Sequence, residues 1–278
     1  MILDCGGRSV NLNAPVIMGI LNTTPDSFSD GGRYAAPNAA IEHALAMVEA
    51  GAALIDVGGE STRPGAVSVS VDEEIQRVIP VIEQLATRVG VPISIDTSKA
   101  EVMRAAVDVG ARMINDVRAL REPGALEAAT ASGLPVCLMH MAGEPRSMQA
   151  NPQYDDVVEE VLAFLEQRIE ICAEAGMSRR RLLIDPGFGF GKSLEHNLCL
   201  LANLERFKRL EVPIMVGLSR KSMFASLLDA DLDQRLPASV AAALLASQNG
   251  ADIVRVHDVR ETHDALALWQ AVAEIHAR

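Results

Sequence analysis

Val16-Ile17-Met18-Gly19-Ile20-Leu21 runs straight into Asn22, and seven further apolar runs end the same way on a polar side chain. They are Ala53-Leu54-Ile55 before Asp56, Ile93-Ser94-Ile95 before Asp96, Met113-Ile114 before Asn115 and Val136-Cys137-Leu138-Met139 before His140. Then come Leu182-Leu183-Ile184 before Asp185, Ile214-Met215-Val216-Gly217-Leu218 before Ser219, and Ile253-Val254-Arg255-Val256 before His257. A loop or a helical pattern follows each. Strands covered on both faces read as near-continuous Val/Ile/Leu runs. Eight such units, alternating with helices, predict a (β/α)₈ TIM barrel, whose site gathers side chains from the C-terminal strand ends.

The bulk numbers agree with one domain spanning 1–278. The chain has 278 residues, close to the roughly 250 of one barrel. Residues 1–14 read as an N-terminal β-hairpin under the barrel of 15–278, with Gly6-Gly7 as its turn. Hydrophobic residues make up 49% and aromatics 3%, so the core is aliphatic. A net charge of −12 argues against nucleic acid, which wants a basic surface. An anionic substrate therefore needs local cations. No segment has the ~20 apolar residues of a membrane span, and the first residues have no signal-peptide pattern. Cys5, Cys137, Cys172 and Cys199 show no metal-ligand spacing. They read as buried free thiols of a cytoplasmic protein.

Ser70 with Glu73 and Ser98 with Glu101 fit the capping box. Residues 153–175 read as one amphipathic helix stopped by Gly176, and 71–88 as a helix containing Pro80. Helical periodicity continues over 235–249 and 259–277. Two long loops, 22–33 after the first barrel strand and 58–66 after the second, are Gly-, Pro- and hydroxyl-rich and read as binding loops.

The strand-end residues carry the chemistry. Asp96, Asn115 and Asp185 with Lys221 form a set of two carboxylates, one amide and one ammonium. That set suits a flat heterocycle presenting N–H donors and a carbonyl acceptor, because a carboxylate grips a guanidine-like edge through two bonds. Asp56 stays open between this role and simple pairing or capping. Arg255 and His257 alternate on one strand and share a face. With Arg63, Arg220 and Lys221 they point to an anion site, since barrels build phosphate sites around strands 7 and 8. Gly187-Phe188-Gly189-Phe190-Gly191-Lys192-Ser193 resembles a P-loop but fails its spacing, because Pro186 stands where a glycine is needed. It reads instead as a glycine-rich loop laying Phe190 over the cleft to stack on a ring, with Phe188 in a plain turn. Met139 could pack on the same ring. His140 reads as non-catalytic, and His43, His263 and His276 as surface residues on helices. No Ser-His-Asp set or dense metal cluster emerges.

With these segments in order, the sequence resembles the dihydropteroate synthase family. The resemblance is carried by Gly19-Ile20-Leu21-Asn22-Thr23-Thr24-Pro25-Asp26-Ser27-Phe28-Ser29-Asp30-Gly31-Gly32, Asp56-Val57-Gly58-Gly59-Glu60-Ser61-Thr62-Arg63-Pro64-Gly65 and Ser94-Ile95-Asp96-Thr97. It continues through Ile114-Asn115-Asp116, Met139-His140-Met141 with Pro145 and Met148-Gln149, and Asp185-Pro186-Gly187-Phe188-Gly189-Phe190-Gly191-Lys192. Ser219-Arg220-Lys221-Ser222 and Arg255-Val256-His257-Asp258 complete it. The segment Met223-Phe224-Ala225-Ser226 departs from the family pattern, away from any catalytic group.

The resemblance implies a TIM-barrel homodimer that condenses (7,8-dihydropterin-6-yl)methyl diphosphate with 4-aminobenzoate, a transferase step of folate synthesis inhibited by sulfonamides. It implies that Asp96, Asn115, Asp185 and Lys221 hold the pterin, with Met139 and Phe190 against its ring. Arg255, His257, Thr62 and Asn22 would hold the diphosphate, Asn22 also binding Mg²⁺. Phe28, Arg63, Pro64, Phe190 and Ser219 would shape the aminobenzoate site. Chemistry then assigns catalytic work to Lys221, Arg255 and His257, and to Asp30 as stabiliser of a pterin cation left by departing pyrophosphate. The aminobenzoate carboxylate would meet Ser219 and the dipole of the next helix. A pterin-dependent methyltransferase, which needs a cobalamin partner, and a non-catalytic pterin-binding homologue are the alternatives. The first does not predict the Ser219-Arg220-Lys221 strand end or the Arg63-Pro64 loop. The second predicts loss of Asn22, Lys221 or Arg255, all of which are present.

Overall fold

The computed structural model describes residues 1–23, 32–61, 68–143, 148 and 152–276. Each apolar run contains a barrel strand, the run 214–218 only in its middle: β3 Val16–Asn22, β4 Leu54–Gly58, β5 Ile93–Asp96, β6 Met113–Asp116, β7 Val136–Met139, β8 Leu182–Asp185, β9 Met215–Val216 and β10 Ile253–Val256. They are parallel, in the order β8-β7-β6-β5-β4-β3-β10-β9. A single parallel bridge, Ile184 to Ile214, joins the two ends and closes the barrel. The seam between β8 and β9 is thinly bonded: the Ile184 amide donates to the Pro213 carbonyl at 3.0 Å, while Ile214 O receives the amides of both Asp252 and Ile253.

Helices α1 (Gly32–Glu49), α2 (Val71–Arg88), α3 (Ala100–Asp108), α4 (Ala125–Ser132), α5 (Val157–Glu174), α6 (Leu194–Ala202), α7 (Met223–Leu228), α8 (Leu236–Gln248) and α9 (Val259–His276) follow the barrel strands in turn. Helix α2 keeps Pro80 inside its span and buries Val78, Val81, Ile82 and Leu85 on one face. Ser70 caps it, its hydroxyl accepting the Glu73 amide at 3.2 Å, while the Glu73 carboxylate turns to Arg77 instead of closing the box. The second expected box is absent. Helix α3 starts after Lys99 with no side-chain cap, because the Ser98 hydroxyl donates across to the Asp116 carboxylate. Helix α5 begins at Asp156, whose carboxylate accepts the amides of Val158 and Glu159, and it stops before Gly176, which takes the left-handed φ of 91°.

Strands β1 (Ile2–Cys5) and β2 (Arg8–Asn11) form the expected antiparallel hairpin around Gly6-Gly7. Its Leu3, Cys5 and Val10, with Leu12, pack against Met18, Leu54, Met113, Cys137, Leu183, Met215 and Ile253, which stand inside the barrel near the strand starts. The hairpin thus plugs the bottom and leaves the opposite rim for chemistry. The larger apolar cluster lies between the strands and the helical ring. Cys5, Cys137 and Cys172 are buried free thiols, but Cys199, expected inside, is exposed on α6.

Candidate active site

Register brings the strand-end residues together. Across the sheet Asn22 pairs with Gly58, Gly58 with Asp96, and Asp96 with Asn115, so residues 93 positions apart in sequence lie along one line at the rim. On the next strands Met139 pairs with Asp185.

Beneath that line lies a charged cluster. Arg255 on β10 donates from Nε to Asp56 Oδ2 at 2.6 Å and from Nη2 to Asp96 Oδ2 at 2.7 Å. Asn115 Nδ2 donates to the same Asp56 oxygen at 2.9 Å. The second Asp56 oxygen is buried without a partner. Burial raises the Asp96 pKa; Arg255 opposes that rise and the neighbouring Asp56 charge adds to it. Burial also works against the Arg255 charge, but Asp56 and Asp96 outweigh it and hold the guanidinium above its ordinary pKa. A shared guanidinium is what lets two carboxylates stand this close inside a protein.

Opposite them, Asp185 at the end of β8 accepts the Gly187 amide at 2.7 Å, and burial raises its pKa against that bond and against Lys221. Lys221 follows β9, with its Nζ 4.2 Å from the centroid of the Phe190 ring, a cation–π distance. Burial pushes this ammonium down to about 8, with Asp185 pulling the other way. Phe190, Met139, Met141 and Met148 make a small apolar cluster of their own, with Val117 packed against it. Phe188, by contrast, points into the main core and is fully buried. The site thus offers carboxylates and an amide to donors, an ammonium to a carbonyl or ring nitrogen, and an aromatic and thioether surface to a flat ring.

Ser219 and His257 also meet. Ser219 Oγ lies 3.0 Å from His257 Nδ1 and accepts the His257 amide at 3.2 Å. Arg220 is directed elsewhere, into an ion pair with Asp258, Nε to Oδ2 3.0 Å. The helix after Ser219, α7, has only six residues and starts at Met223. Asn22 ends β3 beside Thr23, whose amide and hydroxyl both reach Gly58 O, at 2.9 and 3.1 Å. Phe28, Asp30, Thr62, Arg63 and Pro64 lie outside the described residues.

Two functional positions escaped the sequence reading. Asp56, left open there, anchors both Asn115 and Arg255. Its position at the close of an apolar run, shared with Asp96, was the available signal. Lys192, read only as part of a failed P-loop, is buried beneath the glycine-rich loop. Nothing local marks it, because its partner His140 is 52 residues away.

Comparison with known proteins places this geometry. The family model described as "Pterin binding enzyme" matches residues 18–257. The dihydropteroate synthase of Escherichia coli is 55% identical over 98% of this chain and 96% of its own length. Among solved structures, Xanthomonas albilineans dihydropteroate synthase with 4-aminobenzoic acid superposes with a TM-score of 0.94 at 56% identity, covering 98% of each chain. The Xanthomonas albilineans enzyme in complex with 7,8-dihydropteroate gives 0.90 at 52% identity, over 98% of this chain and 99% of that one. A rim of buried acids, amide and ammonium on this barrel, matched along nearly its whole length at more than half of its residues, makes this chain a member of the pterin-binding enzymes and, within them, of the dihydropteroate synthase family.

Proposed function

We propose that the chain condenses (7,8-dihydropterin-6-yl)methyl diphosphate with 4-aminobenzoate, giving 7,8-dihydropteroate and pyrophosphate in folate synthesis. The observation that supports this reading is the grouping of Asp96, Asn115, Asp185 and Lys221 at the C-terminal strand ends around Arg255, with Ser219 and His257 on the same rim. Asp185, Asp96 and Asn115 receive the donors of the pyrimidine edge, Lys221 donates to the pterin, and Phe190 and Met139 lie against its ring. Arg255 has five N–H donors and engages two here, which leaves others for diphosphate oxygens. Ser219 and His257 stand together, the first for the aminobenzoate carboxylate and the second for the diphosphate. Phe28, Arg63 and Pro64 have roles toward the aminobenzoate and Thr62 toward the diphosphate.

In the reaction the C–O bond from the pterin methylene to the diphosphate breaks and its electron pair leaves on pyrophosphate. The aniline nitrogen of 4-aminobenzoate bonds to the methylene carbon and loses a proton. Arg255 and His257 offset the charge that grows on the leaving group. The electron-rich pterin, held by Asp96 and Asp185, carries the positive charge in between, with Asp30 as its further stabiliser. Asn22 supplies one neutral oxygen at the rim, and among the described residues no three His, Cys, Asp or Glu side chains are arranged to hold a metal ion by themselves. This donor set fits a Mg²⁺ brought in on the diphosphate, since Mg²⁺ keeps most of its waters and takes few protein ligands. When bound it neutralises diphosphate charge.

The active form is a homodimer. Leu245 of α8 and Leu268, Val272 and Ile275 of α9 are exposed on two helices that pack side by side, and Leu227 and Leu228 of α7 are exposed as well; exposed apolar surface of this kind supports an interface. Among the described residues no helix is long and apolar enough to cross a membrane. The buried free thiols favour the cytoplasm, and the hairpin's share in the barrel interior favours one domain over 1–278. Pyrophosphate release that requires both substrates, and that a sulfonamide inhibits in competition with 4-aminobenzoate, is the expected outcome. Pterin binding without release in the presence of 4-aminobenzoate would leave a binding protein in place of an enzyme.

A further inference from the structure

The glycine-rich turn between β8 and α6 is tied from beneath by a lysine that the reaction as described does not use. Lys192 is 3% exposed. Its Nζ has three acceptors: Gly187 O at 2.9 Å, Phe190 O at 3.1 Å and His140 Nδ1 at 2.9 Å. An ammonium carries three donors, so all three are used. Nδ1 as acceptor fixes the His140 proton on Nε2. His140 is itself fixed, its amide donating to Asp185 O at 2.9 Å and its ring standing edge-on to Phe164 with centroids 4.9 Å apart.

The turn needs such a tie. Gly187, Gly189 and Gly191 all have positive φ, and glycine has no strong preference for one backbone conformation over another. The turn carries Phe190, whose ring meets the Lys221 ammonium. Burying an ammonium without a carboxylate bonded to it is costly, and burial accordingly pushes Lys192 down to about 7. An apolar side chain would fill the space without that cost but would leave the Gly187 and Phe190 carbonyls without these bonds.

We propose that Lys192, bonded to His140 and to the carbonyls of Gly187 and Phe190, is a positioning residue that holds the Phe190 ring where it meets the pterin. This rests on the pterin reading of the site; absence of turnover by the unaltered enzyme would fail that reading before any variant is made. The test is a double-mutant cycle in steady-state kinetics. Lys192→Met is expected to raise KM for the pterin diphosphate about tenfold, with kcat within about threefold. In a Phe190→Ala background the same substitution should change KM by less than about twofold, because the ring it acts through is gone. Equal effects in both backgrounds, or an unchanged KM in folded Lys192→Met, would overturn the proposal. If Lys192→Met does not fold, His140 decides: His140→Asn keeps an acceptor near the Nδ1 position and should retain the parental KM, whereas His140→Leu should raise it. The same KM for both overturns the proposal as well.

Discussion

Single residues at the rim set both affinity and its pH dependence. Lys221 is desolvated, and its ammonium is pushed from the ordinary 10.5 to about 8. Pterin binding that uses the charged form should weaken as pH rises through about 8, and calorimetry across that range reads it. The stability sign is opposite: between about 8 and 10.5 the unfolded chain binds the extra proton, so this group's contribution to stability improves as pH rises. Lys221→Ala should cost at least about tenfold in pterin affinity near neutrality and abolish the step at higher pH. Asp56 acts one layer below. Asp56→Ala leaves Arg255 with Asp96 alone and should lower stability by about 3–5 kcal/mol in chemical denaturation, with Asp56→Asn losing less. Asp96, Asn115 and Asp185 were legible in the sequence because each closes an apolar run, and Lys221 because it stands two residues after Ser219, which closes another. The role of Asp56 was not, because its partners Asn115 and Arg255 lie 59 and 199 residues away, and only closure of the barrel makes them neighbours.

Loops and helices show where local reading holds and where tertiary contacts override it. The glycine-rich turn after β8 was recognisable by composition, yet its tightness comes from packing. A methyl group added at Gly191 would lie 2.4 Å from the Ala142 carbonyl oxygen, at a φ of 65°. Gly191→Ala should therefore destabilise by at least about 2 kcal/mol and raise KM for the pterin substrate, read by thermal unfolding and steady-state kinetics. The hydroxyl–carboxylate spacing at Ser98 and Glu101 is the same as at Ser70 and Glu73, but only Ser70 caps a helix. Ser98 has a better acceptor in Asp116, at the end of the neighbouring strand β6, and Asp116 also takes the amides of Arg118 and Leu120 at 2.8 Å each. A capping pattern competes with whatever the fold places opposite it. Strand β9 shrank from an apolar run of five residues to Met215–Val216. Its neighbour β10 bonds it over only two register pairs.

For the whole molecule, alternation of strand and helix was enough to foresee the barrel, and the Gly6-Gly7 turn enough to foresee the hairpin. The proposed association of two copies has no such pattern in the sequence, and what supports it is a set of apolar side chains left exposed on α7, α8 and α9. Leu228→Glu with Leu245→Glu should convert the proposed dimer to monomer in sedimentation while leaving the isolated barrel folded, and a parent protein that sediments as a monomer would remove the dimer reading. The one-bridge closure between β8 and β9 has a mechanical outcome. Asp185 ends the strand on one bank of that gap and Lys221 follows the strand on the other, so a pterin gripped by both, as proposed, would work as a rivet across the most thinly bonded place in the cylinder. Deuterium uptake at the Ile184 amide, which bonds across that gap to the Pro213 carbonyl, should slow on adding 7,8-dihydropteroate far more than uptake along β4 and β5, and uniform slowing around the ring would show that no such rivet exists.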